Sequence, residues 1–164
     1  STNEIFDLAR RLSADILAEA AARAEQKRIE KLHEKNVVSD AEFQQCKERL
    51  ERATRQAALA QAQWNALSDR LKRDLMYAQK SYERTRQQAD GVHDSFKSGE
   101  ASMKDVLEAQ GAADQAQQTL EDLRAKLEQF IAAEKLMDDA SDSETDSPSV
   151  SDSDSAGSTA PETP

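Results

Sequence analysis

The sequence has few of the residues that interrupt helices or fill a compact core. Its three prolines all lie after residue 147, and one of its four glycines is in the same region. Aromatic residues are 4% of the chain and charged residues 33%. This composition is typical of long helices and argues against a globule that encloses a substrate pocket. The only cysteine, Cys46, excludes an internal disulfide, and we expect it to be a small buried side chain.

The sequence also lacks a long apolar run and a basic stripe. No stretch approaches the roughly 18 apolar residues of a membrane span, so we predict no transmembrane segment. The net charge is −10, but eight of the 32 acidic residues lie after residue 137. The remainder has 24 acidic and 22 basic side chains of interspersed sign. This pattern indicates a solvated surface and argues against nucleic acid as a partner.

Motifs that carry catalysis or bind ligands are missing from the sequence. There is no glycine-rich phosphate loop, no nucleophile motif and no plausible Cys–His pair. His33 and His93, the only histidines, lie beside different predicted turns, whereas a metal site needs converging ligands. The acidic C-terminal segment lacks the spaced ligands and central glycine of a calcium loop. We therefore expect no enzyme activity, no cofactor and no metal.

Residues 40–98 carry one uninterrupted helical pattern. Apolar or small residues recur at alternating steps of three and four, which defines a seam, the line of side chains that faces a partner helix in a coiled coil. The seam contains Phe43, Cys46, Leu50, Ala53, Ala57, Ala60, Trp64, Leu67, Leu71, Leu75, Ala78, Tyr82, Thr85, Ala89, Val92 and Phe96. Two steps of four follow one another at Leu67, Leu71 and Leu75, which is a stutter. A stutter rotates the apolar stripe, so we predict that the helix exchanges one partner helix for another there.

Two shorter helices are predicted on either side, at about residues 4–35 and 103–137. The first has an alanine-rich middle between two apolar stripes, formed by Ile5, Leu8, Leu12 and Ile16 and by Ile29 and Leu32. The third has a seam at Val106, Ala109, Ala113, Ala116, Leu120, Leu123, Leu127 and Phe130. The fold class is therefore predicted to be all-α, an elongated antiparallel coiled coil of three helices.

The two predicted turns are similar in sequence. Asn36 and Gly99 each suit the left-handed position that follows a helix. Ser39 with Glu42, and Ser102 with Asp105, have the spacing of a capping box. A shift of 63 residues superposes these positions and keeps the seam in phase, which indicates a duplicated hairpin. In the alternative arrangement, the long helix bends near residues 68–74 and the chain forms a compact four-helix bundle.

The chain is predicted to divide into a helical part, residues 1–137, and a disordered Ser/Asp-rich tail, residues 138–164. The tail is either a solubilising segment or a target of acidophilic phosphorylation. Acidic residues follow the candidate phosphorylation sites Ser141, Ser143, Ser151 and Ser153.

Arg28, Leu32 and Ser39, followed by Glu42-Phe43 and an alanine-rich helix, resemble the hairpin tip of periplasmic adaptor (membrane fusion) proteins. These adaptors belong to tripartite efflux pumps and type I secretion systems, and in that family the Arg, Leu and Ser at this spacing dock onto the outer-membrane channel. The second turn, with Gly99 before Asp105-Val106-Leu107, is similar to the periplasmic tip of TolC-like outer-membrane factors. The resemblance covers roughly residues 25–67 and 80–130.

The chain departs from both families. It has no lipoyl or β-barrel domain, as adaptors have, and no transmembrane strands, as the channels have. Gly91 and Ser95 stand at the second turn where the first has Arg28 and Leu32. We therefore expect a hairpin module, a fragment or a stand-alone envelope protein built from the same part, and not a complete pump component of either kind.

The resemblance implies a non-enzymatic docking or spacer module of a cell-envelope efflux or secretion assembly, in the periplasm of a Gram-negative-type bacterium. Other envelope transport proteins would be its partners through the helical tips. The predicted first contact surface is Arg28, Leu32, Asn36, Val37, Val38 and Ser39. The predicted second contact surface is Gly99, Glu100, Ala101 and Ser102.

Two alternatives remain open. The apex valines, Val37 and Val38, either contact a partner, as exposed apolar groups commonly do, or only hold the turn together. The competing function is a cytoplasmic coiled-coil scaffold or regulator with a phosphorylatable tail. We also expect a homo-oligomer, because helices that are half covered along a long rod leave apolar edges exposed.

Overall fold

The computed structural model describes residues 2–144. In that range the chain forms three α-helices and no strand: α1 (Thr2–Glu34), α2 (Asp40–Lys97) and α3 (Met103–Glu144). The prediction of an all-α chain with three helices is confirmed. Ser1 and residues 145–164, with most of the predicted tail, lie outside the described residues.

α3 extends further than predicted. It continues to Glu144, so the predicted boundary at residue 137 has to be corrected. Met137 is half buried against the core, and the Ser141 hydroxyl donates to the Met137 carbonyl one turn earlier at 3.1 Å. Packing of Met137 therefore supports a helix that the acidic composition after residue 137 did not suggest.

α2 is one continuous helix of 58 residues, and residues 68–76 are helical throughout. At 1.5 Å per residue its length is about 87 Å. The alternative of a compact four-helix bundle, which requires a break near residues 68–74, is therefore wrong. The two turns that flank α2 lie at its opposite ends.

Contacts between side chains show that α1 and α3 both run antiparallel to α2. Moving along α2 from Asp40 to Thr54, the hydrogen-bonded partner in α1 moves back from His33 to Glu19, the same number of residues. In the other half, Arg124 of α3 donates to the side chain of Gln79 of α2 at 3.1 Å. α1 and α3 contact each other as well as α2, and they run parallel to one another.

The predicted seams face the helix contacts, with two exceptions. Every seam residue of α2 is buried or half buried except Phe96, which is 36% exposed, and every predicted seam residue of α3 is at least half buried. In α1, Ile16 is 40% exposed, so its assignment to the apolar stripe is wrong. The half-buried positions of α1 after Leu12 are instead Ser13, Asp15, Glu19, Ala22, Glu25, Gln26, Ile29, Leu32 and His33.

The largest buried cluster lies where all three helices overlap. Trp64 is 2% exposed and its ring stacks on Phe130 with centroids 4.1 Å apart. The cluster contains Ile5, Ala9, Leu12, Ala60, Trp64, Leu71, Phe130 and Ala133. The core of α3 takes two steps of three here, from Leu127 to Phe130 to Ala133, so its covered face rotates as α3 meets α1. The stutter of α2 lies at the same overlap.

Candidate interaction sites at the two hairpin tips

The first tip, residues 36–39, is closed by backbone hydrogen bonds of a Schellman motif. Asn36 has a φ of 60°. Its N–H donates to the His33 carbonyl and the Val37 N–H donates to the Leu32 carbonyl, both at 2.9 Å. These bonds satisfy carbonyls at the end of α1 that otherwise have no helical partner. The prediction that Asn36 occupies the left-handed position is confirmed.

The predicted first contact surface differs in exposure from one residue to the next. Val37 projects from the tip with 67% of its surface exposed, whereas Val38 and Leu32 are half buried. Asn36 and Ser39 are exposed, and the Ser39 hydroxyl accepts a hydrogen bond from the Glu42 N–H at 3.2 Å. Val37 is therefore the apolar group most available to a partner at this tip.

Arg28, also predicted to contact a partner, already has one within α1. Its Nη2 and Nε donate to the two carboxylate oxygens of Glu25 at 2.6 and 3.1 Å. This hydrogen-bonded pair raises the pKa of Arg28 and lowers the pKa of Glu25. Arg28 lies two turns before the end of α1, so it is set back from the tip itself.

A cluster beside the first tip was not predicted. His33 Nε2 lies 2.5 Å from an Asp40 carboxylate oxygen, which joins the last turn of α1 to the first turn of α2. The His33 ring stacks on Phe43 with centroids 4.4 Å apart, and Lys47 Nζ lies 4.7 Å from the Phe43 centroid. The seven-residue spacing of His33 and Asp40 across a short turn could have suggested the contact. The stack depends on how the two helices pack.

The second tip, residues 99–102, is built mainly by backbone and capping bonds. Gly99 has a φ of 81°, a conformation that a residue with a Cβ rarely adopts. The Glu100 N–H donates to the Ser95 carbonyl at 2.8 Å. Ser102 and Asp105 form the predicted capping box: the Ser102 N–H donates to the Asp105 carboxylate at 3.0 Å, and the Asp105 N–H donates to the Ser102 hydroxyl at 3.2 Å. The backbone hydrogen bond from Ser102 lowers the pKa of Asp105.

The exposed apolar groups at the second end of α2 lie beside the predicted contact residues. Gly99, Glu100 and Ser102 are exposed and Ala101 is half buried. Met103 and Leu107, one turn apart on α3, are 53% and 65% exposed. This pair was not predicted, although its four-residue spacing outside the seam is a signal present in the sequence.

Comparisons of the chain with family models, with curated proteins and with solved structures give no match. None of the helices in residues 2–144 has the length and apolar content needed to cross a membrane. Within the same residues, no three His, Cys, Asp or Glu side chains lie close enough together to hold a metal ion. The geometry of the two tips is therefore the basis of the proposed function.

Proposed function

We propose that this chain is a non-enzymatic docking and spacer module, an antiparallel coiled-coil rod that binds a partner protein at each tip. The observation that carries the proposal is the unbroken α2 helix, which separates the two turns by about 87 Å. A helix of this length sets a distance between two bound partners.

Each end of the rod offers apolar surface outside the helix contacts. Val37 is 67% exposed at the first tip, and Met103 and Leu107 are 53% and 65% exposed beside the second. The turns themselves are held by backbone hydrogen bonds and capping side chains, so they present these groups in defined positions. Defined apolar groups at a narrow end suit a partner that offers a groove between helices.

The resemblance to adaptor and TolC-like tips supports partners in an envelope efflux or secretion assembly, and a periplasmic location. The first tip retains the residues of the adaptor motif, with Arg28 exposed, Leu32 half buried and Ser39 capping α2. Docking would bury Val37 and Val38 against the helical tips of the partner, while the rod sets the distance.

The test is site-specific photo-crosslinking of the full chain in its native host, with a photoreactive amino acid at Val37. Leu59, 62% exposed on α2 far from both turns, is the matched control position. We expect a crosslink to an envelope transport protein from position 37 and none from position 59. Equal crosslinking from both positions would overturn the tip as the contact site.

A paired variant tests the same claim by loss of binding. Val37→Asp with Val38→Asp should weaken partner capture at least tenfold while circular dichroism shows unchanged helicity, because a charged apex cannot be buried without a partner charge. Leu59→Asp should leave capture unchanged. If the tip variant retains capture, the first tip is not the docking surface. A crosslinked partner confined to the cytoplasm would favour the scaffold function instead.

A further inference from the structure

The middle of α1 has its charged and apolar residues on the opposite sides from those expected of a helix that packs against one neighbour. Asp15 and Glu19 are half buried, whereas Ile16 and Leu17 are 40% and 46% exposed. Glu19 accepts hydrogen bonds from Thr54 at 3.4 Å and from Arg23 at 2.7 Å, which holds its carboxylate on the α2 side. The exposed residues between positions 13 and 24 are Ala14, Ile16, Leu17, Ala18, Ala20, Ala21, Arg23 and Ala24. Only one of them is charged.

A charged pair lies at each end of this apolar stretch. Arg10 pairs with Asp7 at 3.7 Å, and Arg28 pairs with Glu25 at 2.6 Å. In both pairs the acid comes first and the base follows three residues later. Three of these charged residues, together with Leu17 and the alanines between them, form the outer stripe of α1 at helical steps of three and four. Glu25 lies beside the stripe. The outer stripe consists of Asp7, Arg10, Ala14, Leu17, Ala21, Ala24 and Arg28.

We propose that the outer stripe binds the outer stripe of a second copy of this chain, with the two α1 helices antiparallel about a two-fold axis near Leu17. In this arrangement Asp7 faces Arg28 of the second copy, and Arg10 faces Glu25. Ala14 faces Ala21, and small residues allow two helix axes to approach to about 8 Å. Two parallel helices in register would instead place Asp7 against Asp7 and Arg28 against Arg28. The charges therefore select the antiparallel orientation.

An apolar groove lies beside the outer stripe. It has a volume of about 440 Å³, runs between α1 and α3, and is lined by residues that include Phe6, Leu17, Leu136 and Met137. Leu136 is 63% exposed. Leu17 belongs both to the groove and to the outer stripe, so a second helix on the outer stripe would cover one edge of this groove.

Sedimentation equilibrium of the full chain tests the pairing. We expect the wild-type chain to form dimers with a Kd in the micromolar range or tighter, as expected of an interface of modest size. Leu17→Glu should weaken the Kd at least tenfold, because two glutamates would meet at the two-fold axis. Leu59→Glu, at a more exposed leucine on α2, should leave the Kd unchanged. A wild-type chain that stays monomeric at about 100 µM overturns the proposal.

Charge reversal tests the register. Asp7→Arg alone and Arg28→Asp alone should each weaken the Kd about fivefold, since exposed ion pairs contribute up to about 1 kcal/mol. The two changes in one chain should restore it, because each new arginine then faces a new aspartate. Failure of the double variant to recover excludes this register.

Cysteine crosslinking tests the orientation. Chains carrying only Ala14→Cys and chains carrying only Ala21→Cys are mixed and mildly oxidised, and the wild-type chain controls for Cys46. Antiparallel pairing predicts crosslinks mainly between the two different variants. Crosslinks mainly within each variant would show a parallel pair and overturn the proposal. Removal of residues 145–164 should leave the dimer intact, and its loss on truncation would identify the C-terminal segment as the occupant instead.

The dimer surface and the predicted first tip surface share Arg28, but Leu17 and Val37 each belong to only one of them. Val37 lies outside the outer stripe, so its variants report on partner binding alone, and Leu17 variants report on self-association alone.

Discussion

The two hairpins share α2 and have similar turn sequences, yet different interactions hold them together. In the second hairpin, the seam of α3 from Val106 to Phe130 is entirely apolar or small. In the first hairpin, the half-buried residues of α1 include Asp15, Glu19, Gln26 and His33, and Glu19 and His33 are hydrogen-bonded to Thr54 and Asp40 of α2. The first hairpin therefore has polar side chains among its half-buried positions, whereas the seam of the second has only apolar or small ones. Similar turn motifs do not imply the same energetics along the helices that follow them.

The tips differ in the same way. The first tip is joined across the turn by the contact of His33 with Asp40 and by the stack of His33 on Phe43. The second tip is held by the glycine conformation and by the reciprocal capping box. Substitutions at the turns and at the capping box should therefore affect the two hairpins to different degrees, whereas a substitution in the shared core should affect both alike.

The largest effect is expected at Trp64, where the distinction between the hairpins should disappear. Trp64→Ala removes a buried ring that packs with residues of all three helices, and such truncations cost about 3–5 kcal/mol. Urea unfolding should show that loss, and hydrogen exchange should show increased opening in α1 and in α3 alike. Tyr77→Ala, at a 59% exposed position of α2, is the control and should cost little. Increased exchange in only one hairpin would show that the shared core is not a single unit.

A smaller effect separates the two turns. Gly99→Ala forces a side chain into the left-handed region at φ 81° and should cost about 1–2 kcal/mol. Asn36→Ala should cost less, because Asn36 already has a side chain in this conformation and loses only the modest preference of Asn for it. Thermal unfolding of both variants measures the difference. Equal losses would mean that backbone conformation does not distinguish the turns.

The smallest effect concerns pH at the second tip. The pKa of Asp105 is lower in the folded chain, so its ionised form stabilises the capping box above the ordinary carboxyl pKa of about 3.9. That stabilisation is lost as the pH falls through the lower, folded-state pKa of Asp105. Amide exchange of Ser102, followed by NMR, should therefore increase in that acidic range. The Asp105→Asn chain should lack this step, and a step that persists there would assign the titration to another group.

The parts of the fold that were predicted correctly rest on local rules. Steps of three and four placed the seam of α2 from Phe43 to Val92 on the covered side, and Asn36 and Gly99 took the left-handed positions expected after helices. These features depend on helical periodicity and backbone sterics, which act over a few residues. The assignment of Ile16 to the apolar stripe was wrong because the apolar character of a residue does not show which side of its helix a neighbouring helix covers.

Of the features at the two tips, only those that belong to the turns were predicted. Ser39, Ser102 and Asp105 have the capping roles that their spacing indicated. The stack of His33 on Phe43 and the exposure of Met103 and Leu107 were missed, because they depend on the rotation of one helix against another. Arg28 was expected to be open to a partner, but in the structure its guanidinium group donates hydrogen bonds to Glu25.

The sequence by itself determined three helices, two capped turns and the line of residues along which α2 packs. Hydrophobic periodicity and capping are local properties, so the sequence of each helix and each turn specifies them independently. Only the tertiary structure decided that α3 continues past Met137, that Glu19 of α1 faces α2, and that the Trp64 ring stacks on Phe130. Those features depend on how the surfaces of separate helices pack against one another, which the sequence of a single helix does not determine.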